Sequence, residues 1–148
     1  MFRILLIATA VLGLANAAEA ADWRTDQDNY ESGLFLDMSS YKTLPNGDRQ
    51  IWILRAFQKP VATSGGPVDF QLDLVEFNCS ARTQAAKYSV AYFMDGKSEP
   101  AASTLSPITS AERMSDVVCG DLSRLTAVPG EAPFIAHRYR ALGNMRLH

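Results

Sequence analysis

The chain has 148 residues, 14 Lys and Arg against 16 Asp and Glu, a net charge of −2, and 47% hydrophobic residues. This charge excludes a general polyanion binder, because nucleic-acid-binding domains carry a strong basic excess. The apolar fraction is that of a globular protein and excludes disorder of the whole chain. The length allows one domain of roughly 100–150 residues.

The first twenty residues have the three-part pattern of a secretory signal peptide. A basic start, Met1–Arg3, precedes an apolar stretch from Ile4 to Leu14 and then a run of small residues. Cleavage after Ala17 or after Ala20 fits the pattern equally well. The apolar stretch is shorter than the roughly 20 residues of a membrane-spanning helix, and no cysteine is present there for a lipid anchor. We therefore predict an exported protein, periplasmic or secreted and in some settings associated with the cell surface.

Two cysteines, Cys79 and Cys119, are the only thiols in the chain. In an oxidising compartment an isolated pair most simply forms one structural disulfide. A redox site would favour C-x-x-C spacing, and a structural zinc site needs four ligands. Only His137 and His148, both near the end of the chain, could join the cysteines as metal ligands. We predict a disulfide and no metal.

The first half of the mature chain shows strand patterns separated by turn signals. A short strand is predicted over Gly33–Asp37, and the turn signal Asn46-Gly47 then predicts a hairpin into a strand over Arg49–Phe57. Ile51–Leu54 is apolar on both faces, which indicates a central strand covered on each side. Two prolines and a Gly-Gly pair predict that Lys59–Val68 is a surface loop.

The next strand, Asp69–Asn78, changes the phase of its apolar alternation. A β-bulge near Leu74-Val75 would restore a single apolar face. A further strand is predicted over Ala85–Met94, and Asp95-Gly96 predicts a second hairpin.

A helix ending at Cys119 follows, with Thr109 as the N-cap residue and Glu112 completing a capping box. Met114, Val117 and Val118 form its apolar stripe. The resulting fold class is α+β: an antiparallel β-sheet of about five or six strands with one C-terminal helix packed on it, stapled by one disulfide. The predicted division is a signal peptide over 1–20, a domain over 21–121 and a basic, proline-containing tail over 122–148.

The tail is predicted to be partly ordered, with Phe134-Ile135 and Tyr139–Leu142 as segments that could dock on the sheet. Its basic-aromatic stretch Ala136–Arg140 either touches an anionic partner or simply keeps the tail soluble, and we favour the second interpretation.

Few residue patterns suggest chemistry. The acidic stretch Asp26–Glu31 lacks the spacing of a calcium loop and is predicted to be a solvated turn. Asn78-Cys79-Ser80 fits a glycosylation sequence but is better interpreted as a strand end. Trp52 is predicted to be a core residue. We find no nucleophile elbow, zinc-protease motif or phosphate-binding loop, so the sequence predicts no catalytic residues and no cofactor.

Several short elements nevertheless occur in a characteristic order. They are Trp23, Phe35–Asp37 with Ser39-Ser40, the strand Ile51–Ile53, Leu74–Cys79, Tyr92 before Asp95–Lys97, and Val117–Cys119. In this order the sequence resembles the surface-adhesin protein E family of bacterial envelope proteins over about Ala21 to Cys119. The resemblance implies an antiparallel sheet with a helix packed on it and a disulfide that joins Cys79 to Cys119. It also implies binding to host matrix or serum glycoproteins and self-association, so a homodimer is an expected assembly.

The chain departs from this family in two features, since it has no lipid-anchor cysteine and continues into an Arg-rich tail. Two functions therefore follow as expectations. A surface or secreted adhesin-like module predicts an exposed aromatic and apolar patch on the sheet or at its edge. A periplasmic envelope accessory protein without a host-binding role is the alternative. A small hydrolase is a third reading, and it would need a pocket with perturbed carboxylates.

Overall fold

The computed structural model describes residues 20–101 and 111–145. The predicted signal peptide and its cleavage sites therefore lie almost entirely outside the described residues. Within them the secondary-structure elements, in chain order, are β1 (Trp23–Thr25), α1 (Gln27–Glu31), β2 (Leu34–Thr43), β3 (Arg49–Thr63), β4 (Gly66–Asn78), β5 (Thr83–Phe93), β6 (Ser98–Pro100), α2 (Ala111–Cys119), a 3-10 turn (Leu122–Arg124), β7 (Thr126–Ala127) and α3 (Ala132–Met145).

The strands form a single sheet in the order β6-β5-β4-β3-β2-β1-β7, and every neighbouring pair is antiparallel. The predicted antiparallel sheet is confirmed, and β3 is its central strand. The described sheet has seven strands rather than five or six. β6 is the second strand of the hairpin that Asp95-Gly96 predicts, and the strands that no sequence pattern predicted are β1 and β7 on the opposite side, with only 3 and 2 residues. Segments this short carry no readable alternation of apolar and polar side chains.

Both predicted hairpin turns are present. Gly47 and Gly96 have φ angles of +86° and +85°, a conformation that glycine adopts without a steric penalty. The predicted surface loop over Lys59–Val68 is wrong, because β3 and β4 continue as paired strands to the turn at Thr63 and Gly66. Pro60 is accommodated because it lies in a register shift between Ala56 and Val61, where regular pairing is already interrupted.

The sheet is apolar on both faces, and a different helix covers each face. The α2-side cluster consists of Leu34, Leu36, Ile51, Ile53, Val75, Phe77, Met114, Val117, Val118 and Leu125. The α3-side cluster consists of Trp23, Phe35, Leu54, Ala56, Phe70, Ala132, Ile135, Ala136 and Tyr139. Neighbouring residues of β2, Phe35 and Leu36, belong to different clusters because alternate side chains of a strand point to opposite faces.

This arrangement explains the change of phase in β4. Phe70 faces α3, whereas Val75 and Phe77 face α2, so one strand contributes to both cores in turn. The predicted bulge is present, since the pairing of β4 with β5 shifts between Leu74 and Val75. It does not restore a single apolar face. The extra residue is Lys87 of β5, because Leu74 pairs with Tyr88 and Val75 with Ala86.

The helix that ends at Cys119 is confirmed as α2. Met114, Val117 and Val118 are buried against the sheet, as the apolar stripe predicts. The Cys79–Cys119 disulfide joins the end of this helix to the residue that follows β4, across a sequence separation of 40. The N-cap residue Thr109 lies outside the described residues.

Residues 122–145 of the predicted tail form the 3-10 turn, β7 and α3, and the predicted docking on the sheet is present at Ile135 and Tyr139. Helix α3 packs on the sheet through Ile135, Ala136 and Tyr139, all of them buried. Phe134 was expected to dock with Ile135 but is 57% exposed, because it lies on the opposite side of the helix. Pro133 is compatible with this helix since it occupies the first turn, where a backbone N–H has no partner within the helix.

Candidate functional site

The most exposed aromatic surface of the sheet lies on the face that α3 covers, beyond the contacts of that helix. Trp52 of β3, Leu74 of β4 and Tyr88 of β5 are direct cross-strand partners and form one line across three strands. We call these three residues the aromatic row. The Trp52 and Tyr88 rings meet edge to face, with their centroids 6.2 Å apart. Tyr88 is 50% exposed, whereas Trp52 and Leu74 are partly buried.

The bulge at Lys87 determines that Tyr88 belongs to the row. Without the extra residue, the pairing that places Ala86 opposite Val75 would continue with Lys87 opposite Leu74. Tyr88 would then point to the other face of the sheet, because a shift of one residue exchanges the two faces. The bulge thus brings an aromatic ring next to Trp52.

Polar groups border the aromatic row on the side away from α3. Gln50 and Glu76 are cross-strand partners one row further along the same face, and both are partly buried. The Lys87 ammonium lies 3.5 Å from the Glu76 carboxylate. The surface therefore combines two ring systems with an amide and an ion pair, a mixture typical of the rim and centre of a recognition site.

A second polar group of residues is buried on the opposite face. The Asp73 side chain is fully buried and accepts hydrogen bonds from Gln71 at 2.6 Å, from Ser89 at 2.6 Å and from Arg55 at 3.0 Å. Both carboxylate oxygens are thereby engaged by side chains of the sheet. Removing one partner of this buried pair would be strongly destabilising, because it leaves an uncompensated charge.

The structure separates the residues of the basic-aromatic stretch Ala136–Arg140. Ala136 and Tyr139 face the sheet, His137 and Arg138 are exposed, and Arg140 forms an ion pair with Asp69. These side chains do not form one cationic patch, because a helix distributes five successive residues around its circumference.

The other sequence predictions have mixed outcomes. The acidic stretch Asp26–Glu31 is largely helix α1 rather than a turn. Trp52 was predicted to be a core residue and is instead only partly buried, because α3 covers β3 at Leu54 and Ala56 but not one row further along. Asn78 is the last residue of β4, which confirms the prediction of a strand end there.

The pKa shifts of the described residues occur at solvent-exposed pairs away from the aromatic row. A hydrogen bond from Lys97 lowers the pKa of Asp95 in the turn between β5 and β6. A hydrogen bond to Asp22 raises the pKa of Arg24 in β1. Both pairs connect residues that are two positions apart, so they reflect local turn and strand geometry.

Among the residues that the structure describes, no helix has the length and apolar character needed to cross a membrane. Within the same ranges, no three His, Cys, Asp or Glu side chains are grouped so that they could hold a metal ion.

Comparison with known proteins returned no relatives. No protein-family model matches this chain, and neither a curated protein nor a solved structure matches it.

Proposed function

We propose that this chain is an exported, non-catalytic binding module of the surface-adhesin E type that captures matrix or serum glycoproteins through the aromatic row. The observation that supports the proposal is the alignment of Trp52, Leu74 and Tyr88 on an uncovered part of the sheet. An adhesin-like module was expected to present an aromatic and apolar patch of this kind.

The composition of the row fits a role in recognition. Tyrosine and tryptophan are enriched among the residues that dominate binding energy, because they bury a large rigid surface at a low cost in side-chain entropy. Tyr88 is 50% exposed, although the next row of this face, at Leu54, is covered by α3. At the border of the row, the Gln50 amide can donate to or accept from polar groups of a partner, and the Glu76 carboxylate can accept from them.

The disulfide supports the exported location, since such bonds persist in oxidising compartments outside the cytoplasm. The first experiment is protease accessibility of the protein on intact cells, with a cytoplasmic and a periplasmic marker protein as controls. Adhesion to host glycoproteins requires that added protease digests the chain while both markers stay intact. Protection equal to that of the periplasmic marker would contradict the adhesin role and assign the chain to the alternative, an envelope accessory function.

The second experiment measures binding of the purified exported protein to a panel of immobilised matrix and serum glycoproteins. Substituting Tyr88→Ser or Trp52→Leu should weaken the binding at least tenfold, because truncating an aromatic hot-spot residue at the centre of an interface costs about 2 kcal/mol or more, and about 1.4 kcal/mol corresponds to a factor of ten.

The matched control is Phe134→Ser, which removes a ring of similar exposure from the outer side of α3. Circular dichroism should show the same fold for all three variants. If Phe134→Ser weakens binding as much as Tyr88→Ser does, the binding depends on general surface hydrophobicity and the aromatic row is not the site.

A further inference from the structure

A separate cavity of about 240 Å³ lies between α3, α1 and the segment that follows β7. Its walls include Tyr30, Phe35, Pro129, Ile135 and Tyr139, and Arg138 stands among them. We call it the aromatic pocket. It shares no residue with the aromatic row, and the proposed adhesive function does not depend on it.

Three rings of the pocket hold each other in place. The centroid of the Tyr30 ring is 5.9 Å from that of Phe35 and 5.8 Å from that of Tyr139, and Phe35 and Tyr139 are 6.1 Å apart. All three pairs meet edge to face, the arrangement that aromatic quadrupoles favour. The Tyr139 hydroxyl also donates a hydrogen bond of 2.9 Å to the backbone carbonyl of Glu31 and so connects α3 to the end of α1. The walls are therefore positioned before any ligand arrives, which reduces the entropic cost of binding.

The charge of the pocket comes from one side chain. Arg138 is its only charged lining residue, and in the described part of the chain no carboxylate forms an ion pair with it. Arg140, two positions further along the same helix, differs from Arg138 in this respect. Its guanidinium is paired with Asp69. An unpaired guanidinium beside aromatic walls offers its planar set of donors to a carboxylate, which it can bind through two parallel hydrogen bonds.

The size of the cavity limits the ligand. A volume of about 240 Å³ lies just below the roughly 300–1,000 Å³ of pockets that hold drug-sized ligands. This size favours a ligand of about one aromatic ring with a small substituent. Aromatic walls favour a planar apolar body, and Arg138 favours an anionic group at its end.

We propose that the aromatic pocket binds a small aromatic carboxylate of single-ring size, with the ring against the more accessible wall residues Tyr30, Val128 and Pro129 and the carboxylate on the Arg138 guanidinium. For a ligand with so few atoms, a dissociation constant on the order of 1 mM is expected.

The test is a titration of the isotope-labelled protein, followed by NMR chemical shifts, with benzoate, with the neutral analogue benzyl alcohol and with acetate, each up to about 10 mM. Benzoate should shift the backbone signals of residues that line the pocket and bind at least fivefold more tightly than benzyl alcohol. Acetate, which has the charge but no ring, should not saturate these signals. Arg138→Gln should lower the affinity for benzoate to that for benzyl alcohol.

Arg124→Gln is the matched control, because it removes an exposed arginine that lies outside the pocket. Benzoate binding should be unchanged in this variant and also in Tyr88→Ser, which separates this proposal from the proposed adhesive function. Equal affinity for benzoate and benzyl alcohol, an Arg138→Gln variant that binds benzoate normally, or the absence of shifts at 10 mM would each overturn the proposal.

Discussion

The two longer helices cover opposite faces of one sheet and are attached to it in different ways. Helix α2 has 9 residues and contributes three buried apolar side chains, and its last residue is bonded covalently to Cys79. Helix α3 has 14 residues and no covalent link, and it is held by four buried side chains together with the ion pair between Arg140 and Asp69. The comparison predicts that the shorter helix depends on the disulfide, whereas buried side chains and one ion pair hold the longer one.

The largest effect is expected from removing the disulfide with the double substitution Cys79→Ala and Cys119→Ala. With a sequence separation of 40, the loss of the cross-link should lower the free energy of unfolding by about 4 kcal/mol in the chain-entropy model. Urea unfolding measures this change. Hydrogen exchange should show that the amides of α2 lose protection first, while those of α3 lose protection only with global unfolding.

The control compares the wild-type protein with and without a reductant, which breaks the disulfide and leaves the rest of the chain unchanged. If the α3 amides lose protection together with those of α2, the two helices form one cooperative unit and the proposed difference in attachment is incorrect.

The second effect tests the contribution of burial to the attachment of α3. Ile135→Ala should lower the free energy of unfolding by about 3 kcal/mol, since the side chain is almost completely buried in the α3-side cluster and its truncation leaves a cavity. The neighbouring substitution Phe134→Ala is the control and should change stability by less than about 0.5 kcal/mol, because that ring is exposed. Equal effects of the two substitutions, measured by urea unfolding, would show that α3 is not held by its sheet-facing side.

The sequence predicted α2 but not α3, for a physical reason. The stripe Met114, Val117 and Val118 consists of large apolar side chains, and the cysteine at its end agrees with the same packing. In α3 the sheet-facing positions 132, 135, 136 and 139 have the spacing of a helix, but two of the four residues are alanine. Pro133 and Gly143 also predict an interruption of the helix, because the sequence alone does not show where in the helix they lie. The helical spacing is therefore present in the sequence, but it is hard to recognise because the sheet-facing residues differ little in hydrophobicity from the rest of the helix.

The candidate site depends on cross-strand register, which local patterns do not contain. Trp52, Leu74 and Tyr88 lie on three strands and become neighbours only through the pairing of β3 with β4 and of β4 with β5. The change of phase in β4 indicated a bulge at the correct place, but not which strand contains the extra residue or that both faces are covered. The disulfide and the central position of β3 could be predicted, because each follows from residues that are informative on their own.

The smallest effect concerns the connection between the two helices. Asp121 caps the 3-10 turn after α2 and accepts a hydrogen bond of 2.9 Å from the Ser123 backbone N–H, and the turn leads to Leu125, which is buried in the α2-side cluster. Hydrogen bonds from the Ser123 side chain and backbone lower the pKa of Asp121 below its ordinary value. Because the folded pKa is below the unfolded value, the stabilisation is complete above about pH 4 and is lost as the pH falls through the folded pKa.

Asp121→Ala should therefore reduce stability slightly at pH 7 and approach no effect below the folded pKa, as urea unfolding at a series of pH values would show. Ser123→Ala should reproduce part of this pH dependence, since it removes the largest cause of the shift. An Asp121→Ala effect that is constant from pH 7 to pH 2 would mean that the side chain acts through packing, and that the turn contributes to the attachment of α2 independently of its charge.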